Sequence, residues 1–571
     1  MRRALTAVLA ADLLLARCTA APPQPTLAAS ALTAAESVYA DLRALRDRYD
    51  VAVEVGAGRI AAASPPALVH GHNALRKDLS TRLAGIDSGG LREDDAHALG
   101  VMRRTLALDL DSLVASSAPT IGENRPDCAY DARAIAVAPN GLDSLRRRLY
   151  SCYAWAQSRI VVDGDTLDRL SILGALGRVE NAARRRRLFL ALDPVWRSIN
   201  GDNRPASPYR QLIAAEVKRR GNGESPAAAQ ARLSGVPPDS LEKWLLAILR
   251  TWRSAVQDSL VEPWDWYFET GRTSRTLSSR VPRERLARLN AEIYRSLGAD
   301  VETLGVRYDL EPREGKTPVA YCTFGRRPRL TKGAWSAGEP WVFATYRTGG
   351  LDNLNELLHE TGHAVHIAAI RTRPAFADWP DSDPFTEALA EFVALDVYEP
   401  QWQQHWLGDS VPLADGLRGR YGGIVLDVAW ALFEMRMLQD PTADPSAVWT
   451  TLTRDYLRIR PHPELSWWAM RGQLVDAPGY MMNYAAGSVL IADIRARTRR
   501  LHGPFASGDS SWYGWVAPRL FRFGLERPTR EVIQEFLGRR ASPAALLEDM
   551  RRMSPGRRSE TDLQNSSLGP H

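Results

Sequence analysis

Residues 351–370 read L-D-N-L-N-E-L-L-H-E-T-G-H-A-V-H-I-A-A-I, with His359 and His363 four positions apart and Glu360 between them. On a helix, residues four apart stack on one face, so both imidazoles can reach a single metal ion while Glu360 stands beside it. Zinc suits such a set. It takes imidazole and carboxylate ligands tetrahedrally, and with three protein ligands it keeps a fourth position open for water. The chemistry this offers is hydrolysis: Zn²⁺ acidifies a water and Glu360 receives its proton.

The third ligand must come from another element. Asp378, Asp381, Asp383, Glu387 and Glu391 are the carboxylates in range. Asp383-Pro384 reads as an N-cap followed by a first-turn proline, which predicts a helix over 385–398. Glu387 then falls in its first turns, with Glu391 one turn later on the same face. We take Glu387 as the third ligand and Glu391 as the carboxylate that orients a ligand histidine. Asp383 is the rival ligand, set aside because it is committed to the cap. A glycine three residues after His363 and a histidine six after it would define another ligand set, but His366 and Ala369 stand there.

Several elements must hold these groups. Leu354, Leu357, Leu358, Thr361, Val365 and Ala368 form an apolar stripe at helical spacing, and Asp352 can cap the helix after Gly349-Gly350. Ahead of it, the runs at 317–323 and 341–346 are β-branched and aromatic and predict a small sheet. Elsewhere helical spacing dominates: 31–50, 72–86, 93–114, 142–161, 166–198, 241–268 and 283–297 before the site, then 413–439, 446–459, 480–498, 518–523 and 530–537 after it. Residues 56–66 read as loop. The fold class is mainly α, with a small β-sheet next to the zinc helix.

H-E-T-G-H-A-V-H at 359–366 resembles the H-E-x-G-H-x-x-H block of the thimet oligopeptidase and peptidyl-dipeptidase family. F-T-E-A-L-A-E at 385–391 resembles the F-x-E-A-x-x-D block of the angiotensin-converting enzyme family. The likeness covers 319–400 and, more loosely, 264–497. It implies a gluzincin, a two-lobed helical zincin with a deep channel, acting as a zinc metallopeptidase on short extended peptides. It also implies that the strand near 334–346 borders the channel, where a substrate would add through main-chain hydrogen bonds. In G-Y-M-M-N-Y at 479–484, Tyr480 and Tyr484 share a helix face and resemble the phenol donors to the developing oxyanion. Tyr484 is favoured, being deeper in its helix. The families place a histidine shortly before these tyrosines, and this chain has Gln473, Leu474 and Val475 there. Arg471 and Arg495 are the candidate cations for a substrate's terminal carboxylate. The alternative is an exported non-catalytic metal-binding or scaffold protein on the same fold, although a structural zinc site has no need of Glu360.

The 571 residues are 45% apolar and 25% charged, ordinary for a globular protein. Without a Gly/Ser- or Pro-rich linker, 22–553 reads as one unit, with a helical part at 27–262 and a zinc-site part at 263–553, then a polar disordered tail at 554–571. The net charge of +6 comes largely from arginine, including the runs at 146–148 and 184–187. With no recognition motif beside them, these read as solvated helix faces, and no nucleic-acid partner is expected. Arg2-Arg3, the apolar run 4–16 and Cys18-Thr19-Ala20-Ala21 read as a signal peptide over 1–21, so the chain is expected to be exported, periplasmic or secreted. Lipid anchoring through Cys18 is the lesser reading, because Arg17 stands where a small residue is wanted. No later stretch is apolar enough to span a membrane. An exported chain could join Cys128 to Cys152; buried free thiols at Cys128, Cys152 and Cys322 are the other reading.

Overall fold

Apolar stripes at three- and four-residue spacing can be buried only against one another, which makes this chain a stack of packed helices. The computed structural model describes residues 27–55, 65–108, 126–256, 259–313, 316, 319–331 and 334–554. The expected signal peptide with Cys18, most of the 56–66 loop and the tail beyond 554 lie outside the described residues. Helices α1 (Leu27–Val55), α2 (Pro65–Ala84) and α3 (Glu93–Ala107) close around a small core of Leu32, Tyr39, Leu79, Leu99 and Met102. A second core gathers Trp196, Tyr209 and Trp252 with Trp430, Trp449 and Trp468. The third holds Leu289, Ile293, Leu354, Leu358, Phe385 and Ile494. Among the described residues no helix is long and apolar enough to cross a membrane.

The first half breaks more often than its apolar spacing predicts. Helix α4 (Gly141–Gln157) stops short, and Ile160–Val162 pairs antiparallel with Asp165–Leu167 across Asp163-Gly164. Both turn residues have positive φ, 52° and 91°, which the Asp-Gly pair tolerates and a two-residue hairpin needs. The span read as one helix at 166–198 is this strand plus three helices, Arg169–Arg178, Ala182–Leu190 and Asp193–Asn200. Asp168 accepts from Ser171 N at 2.7 Å and Asn181 from Arg184 N at 2.9 Å, so each starts a fresh first turn. The helix read at 241–268 is α5 (Pro238–Ala255).

After α6 (Leu286–Ser296) come three paired strands, β1 (Arg307–Asp309), β2 (Tyr321–Arg326) and β3 (Glu339–Phe343), in the order β1-β3-β2. Strand β3 lies parallel to β1 and antiparallel to β2. This corrects the expectation for 334–346. Ala334–Ser336 belongs to a separate hairpin with Arg329–Thr331, and β3 spends its main chain on two neighbours, so among the described residues β1 and β2 are the edge strands of this sheet.

Helix α7 (Leu351–Ala369) carries the two histidines. Its N-cap is Gly350 at φ 115°, and Asp352 sits in the first turn without capping it. Helix α8 (Asp383–Ala394) follows, then α9 (Leu413–Gln439) and α10 (Met481–Leu501). Helix α7 packs on α8, α8 on α10 and α10 on α9. At the first of these crossings Gly362 is required by space: a Cβ there would stand 2.3 Å from the carbonyl oxygen of Ala390.

Gly362→Ala should therefore cost about 1–3 kcal/mol or more, because backbone cannot yield as a side chain would. Denaturant unfolding measures this. An unchanged midpoint would mean that α7 and α8 can part freely.

Candidate metal centre and cavity

One helical turn separates His359 from His363, and their rings stand perpendicular, at 88°, with centroids 4.9 Å apart. Helix α8 crosses them so that donor atoms of His359, His363 and Glu387 all lie within 4.8 Å of one another. His359 Nε2 is 3.6 Å from Glu387 Oε2, while His359 Nδ1 meets Glu391 Oε1 at 2.9 Å. With Nδ1 thus engaged, Nε2 is the nitrogen left for an ion. Among the described residues the buried His363 Nδ1 has no hydrogen-bond partner. Two imidazoles and one carboxylate, one imidazole oriented by a second carboxylate, form a donor set that fits Zn²⁺ with one position to spare.

Burial pushes the Glu360 carboxyl up to about 8 and that of Glu387 to about 7, with the neighbouring His359 acting the other way on both. Burial acts downward on His359, but Glu391, Glu360 and Glu387 outweigh it and raise it to about 10. His363 is held well below the usual histidine range by burial and by the other two histidines.

Beyond these groups, three tyrosines grip α7 from outside. Tyr294 OH donates to Leu358 O at 2.6 Å, Tyr513 OH donates to Val365 O at 2.9 Å, and Tyr308 OH lies 3.1 Å from Thr361 Oγ1. Each comes from a separate part of the chain, and nothing in its local sequence marks it.

Asp383 departs from its expected role. The N-cap of α8 is Ser382, and Asp383 makes no cap; its Oδ2 accepts from Asn483 Nδ2 at 3.2 Å and Gln230 Nε2 at 3.4 Å. Proline at the second position presets the turn, and Ser382 Oγ is engaged by Ser234 Oγ at 2.7 Å. Asp383 thus ties α8 to α10 and lies outside the donor cluster.

The cluster forms part of the wall of a cavity of about 920 Å³. Tyr480 and Tyr484 line it, with ring centroids 5.6 Å apart. Gln473 donates to Tyr484 OH at 3.4 Å. Ala320, Tyr321 and Cys322 bring the start of β2 to the same space, facing Trp379 and Tyr267, none of which the sequence reading singled out as a wall residue. Arg471 and Arg495 are absent from the lining. Arg495 is 1% exposed and bonded to Asp396 and the Phe392 carbonyl; Arg471 is bonded to Asp427 and stacked on Trp430. Among the described residues, the one arginine or lysine lining the cavity is Arg420, whose guanidinium faces Asp549 at 3.2 Å and Glu399 at 3.5 Å. Asp352, Glu356, Asp383 and Asp427 add carboxylates beyond those around the histidines.

No protein-family model and no curated protein matches the chain. Solved structures do. PZ peptidase A with an inhibitor shares 15% identity at a TM-score of 0.53, over 93% of this chain and 97% of that one. An oligoendopeptidase F shares 16% at 0.54, over 94% and 97%. Trypanosoma cruzi metallocarboxypeptidase 1 shares 13% at 0.51, over 92% and 99%. The chain has the mainly helical fold of these peptidases along nearly its whole length.

Metal analysis after dialysis distinguishes the carboxylates. Glu387→Ala should lose most bound zinc, Glu391→Ala should bind roughly 10–100-fold more weakly, and Asp383→Ala should retain it. Retention by Glu387→Ala with loss by Asp383→Ala would reverse the assignment.

Proposed function

We propose that this protein is a zinc-dependent peptidase that cleaves short, extended peptides at internal bonds. The observation that carries the reading is the convergence of His359, His363 and Glu387 beside Glu360, on the wall of a cavity large enough for a peptide. His359, His363 and Glu387 would hold a Zn²⁺, which would supply Lewis acidity to a water and to the scissile carbonyl. Glu360 takes the proton of the attacking water and returns it to the leaving amine. Glu391 fixes the tautomer of His359 through the Nδ1 contact. Tyr480 and Tyr484 donate to the carbonyl oxygen as negative charge develops on it. Edge strand β2, whose start lines the cavity, offers main-chain donors and acceptors to an extended substrate.

Internal cleavage is favoured over release from a C-terminus because capture of a terminal carboxylate needs an available cation. Arg420 is already met by two carboxylates and Arg471 by one, while Arg495 is buried. Export is supported by the Cys128–Cys152 disulfide, since such bonds persist in oxidising compartments. It accords with the leader-like composition of residues 1–21.

Glu360→Gln should keep its zinc and lose about 10³-fold or more in kcat, since the ligands stay while the base is gone. Near-wild-type turnover in that variant would sink the mechanism. Peptides acetylated and amidated at their ends should be cut, with new termini appearing by mass spectrometry in the absence of chelator only. Cleavage restricted to peptides with a free C-terminal carboxylate would overturn the internal-bond reading.

A further inference from the structure

Glu434 lies in α9, seven residues and hence two turns beyond Asp427, which lines the cavity, on the same side of that helix. It is 3% exposed, and among the described residues no cation pairs with it. Burying a carboxylate without a counter-charge is costly unless both oxygens are used. Here they are: Oε1 accepts from Gly479 N at 2.8 Å and Oε2 from Met481 N at 2.9 Å.

Those two N–H groups flank Tyr480. A helix start leaves its first N–H groups without intrahelical acceptors, and the N-cap side chain ordinarily satisfies one of them. The N-cap of α10 is Tyr480 itself, and its side chain makes no cap. The phenol lines the cavity instead. The missing acceptor arrives from α9. The turn is held from the other side as well, because Gly479 has φ 94° and a Cβ there would stand 2.7 Å from Pro226.

We infer that Glu434 is a positioning residue for the two cavity tyrosines: by capping α10 from a neighbouring helix it releases Tyr480 from that duty and fixes the turn that aims Tyr480 and Tyr484. The inference rests on the proposed role of those phenols as oxyanion donors. Replacing one carboxylate oxygen by an amide NH₂ sets donor against donor at one of the two backbone contacts, so the turn should shift while the metal cluster, held by α7 and α8, stays put.

The test is a double-mutant cycle on the zinc-loaded, full-length protein. Glu434→Gln, with Glu434→Asp beside it as the milder change, is made in the wild-type and in the Tyr480→Phe/Tyr484→Phe background. Asp444→Ala, which removes a cap of α-helix Pro445–Leu452, serves as the control for lost stability alone. In the wild-type background kcat should fall about tenfold or more, with KM and zinc content within twofold; in the double-phenylalanine background the same change should cost less than twofold. An equal loss in both backgrounds, an unchanged kcat in the wild type, a matching loss in the Asp444→Ala control, or failure of both Glu434 variants to fold would each overturn the inference. If the double-phenylalanine protein itself retains wild-type kcat, the phenol donors are lost from the proposed function. In that case a drop with Glu434→Gln would show it acting by another route.

Discussion

A methyl group on residue 362 would stand 2.3 Å from the Ala390 carbonyl, so the helices bearing the clustered donors cross in backbone contact only because that residue is glycine. This separation sets every distance at the site. His359 and His363 lie one turn apart on α7, Glu387 and Glu391 one turn apart on α8, and the crossing brings the two pairs together. Such a concentration of buried ionisable groups is unfavourable unless they hold one another or a cation, and it persists because the surrounding helices determine its geometry.

Helix α8 is the middle layer, and it is tied to the tyrosine helix as firmly as to the histidine helix. Arg495 in α10 reaches the Phe392 carbonyl and Asp396, and Asn483 reaches Asp383. Gly487 lets α10 approach so closely that a Cβ there would stand 3.0 Å from the Pro384 carbonyl oxygen and 3.5 Å from Glu387 Cβ. A displacement of α10 at Gly487 would therefore be felt at Glu387, whereas the start of the helix at Tyr480 lies seven residues, about two turns, before that contact.

Part of the arginine excess is spent on ion pairs between elements. Arg373 bridges Glu36 and Asp95, Arg43 meets Asp378, Arg327 meets Asp47, and Arg329 meets Asp41. These pairs join α1–α3 to the body around the apolar contact that Ala375 and Phe376 make with them. Arg185, from one of the basic runs, is buried against Asp265 and two carbonyls. The net charge thus describes the chain's composition better than it describes the cavity, where carboxylates prevail.

Local physics was legible in the sequence. The four-residue offset of His359 and His363 determines their shared face, because helical periodicity depends on nothing beyond the helix. The apolar stripes likewise marked α9 to its ends, 413–439. Capping competes with that periodicity residue by residue, which is why 166–198 broke at Asp168 and Asn181 although its stripe ran on. Tertiary packing decided the rest. Asp383 looks like a cap in its own segment and becomes a strut to α10 once Asn483 is beside it. Strand β3, within 334–346, became the centre of its sheet, with β1 and β2 at the edges, because strand order is set by pairing between distant segments. Arg471 and Arg495 found carboxylates that no spacing rule connects to them. Glu434, 45 residues from Gly479 in the chain, could be read only from the fold, since a backbone N–H leaves no mark in the sequence of the residue that accepts it.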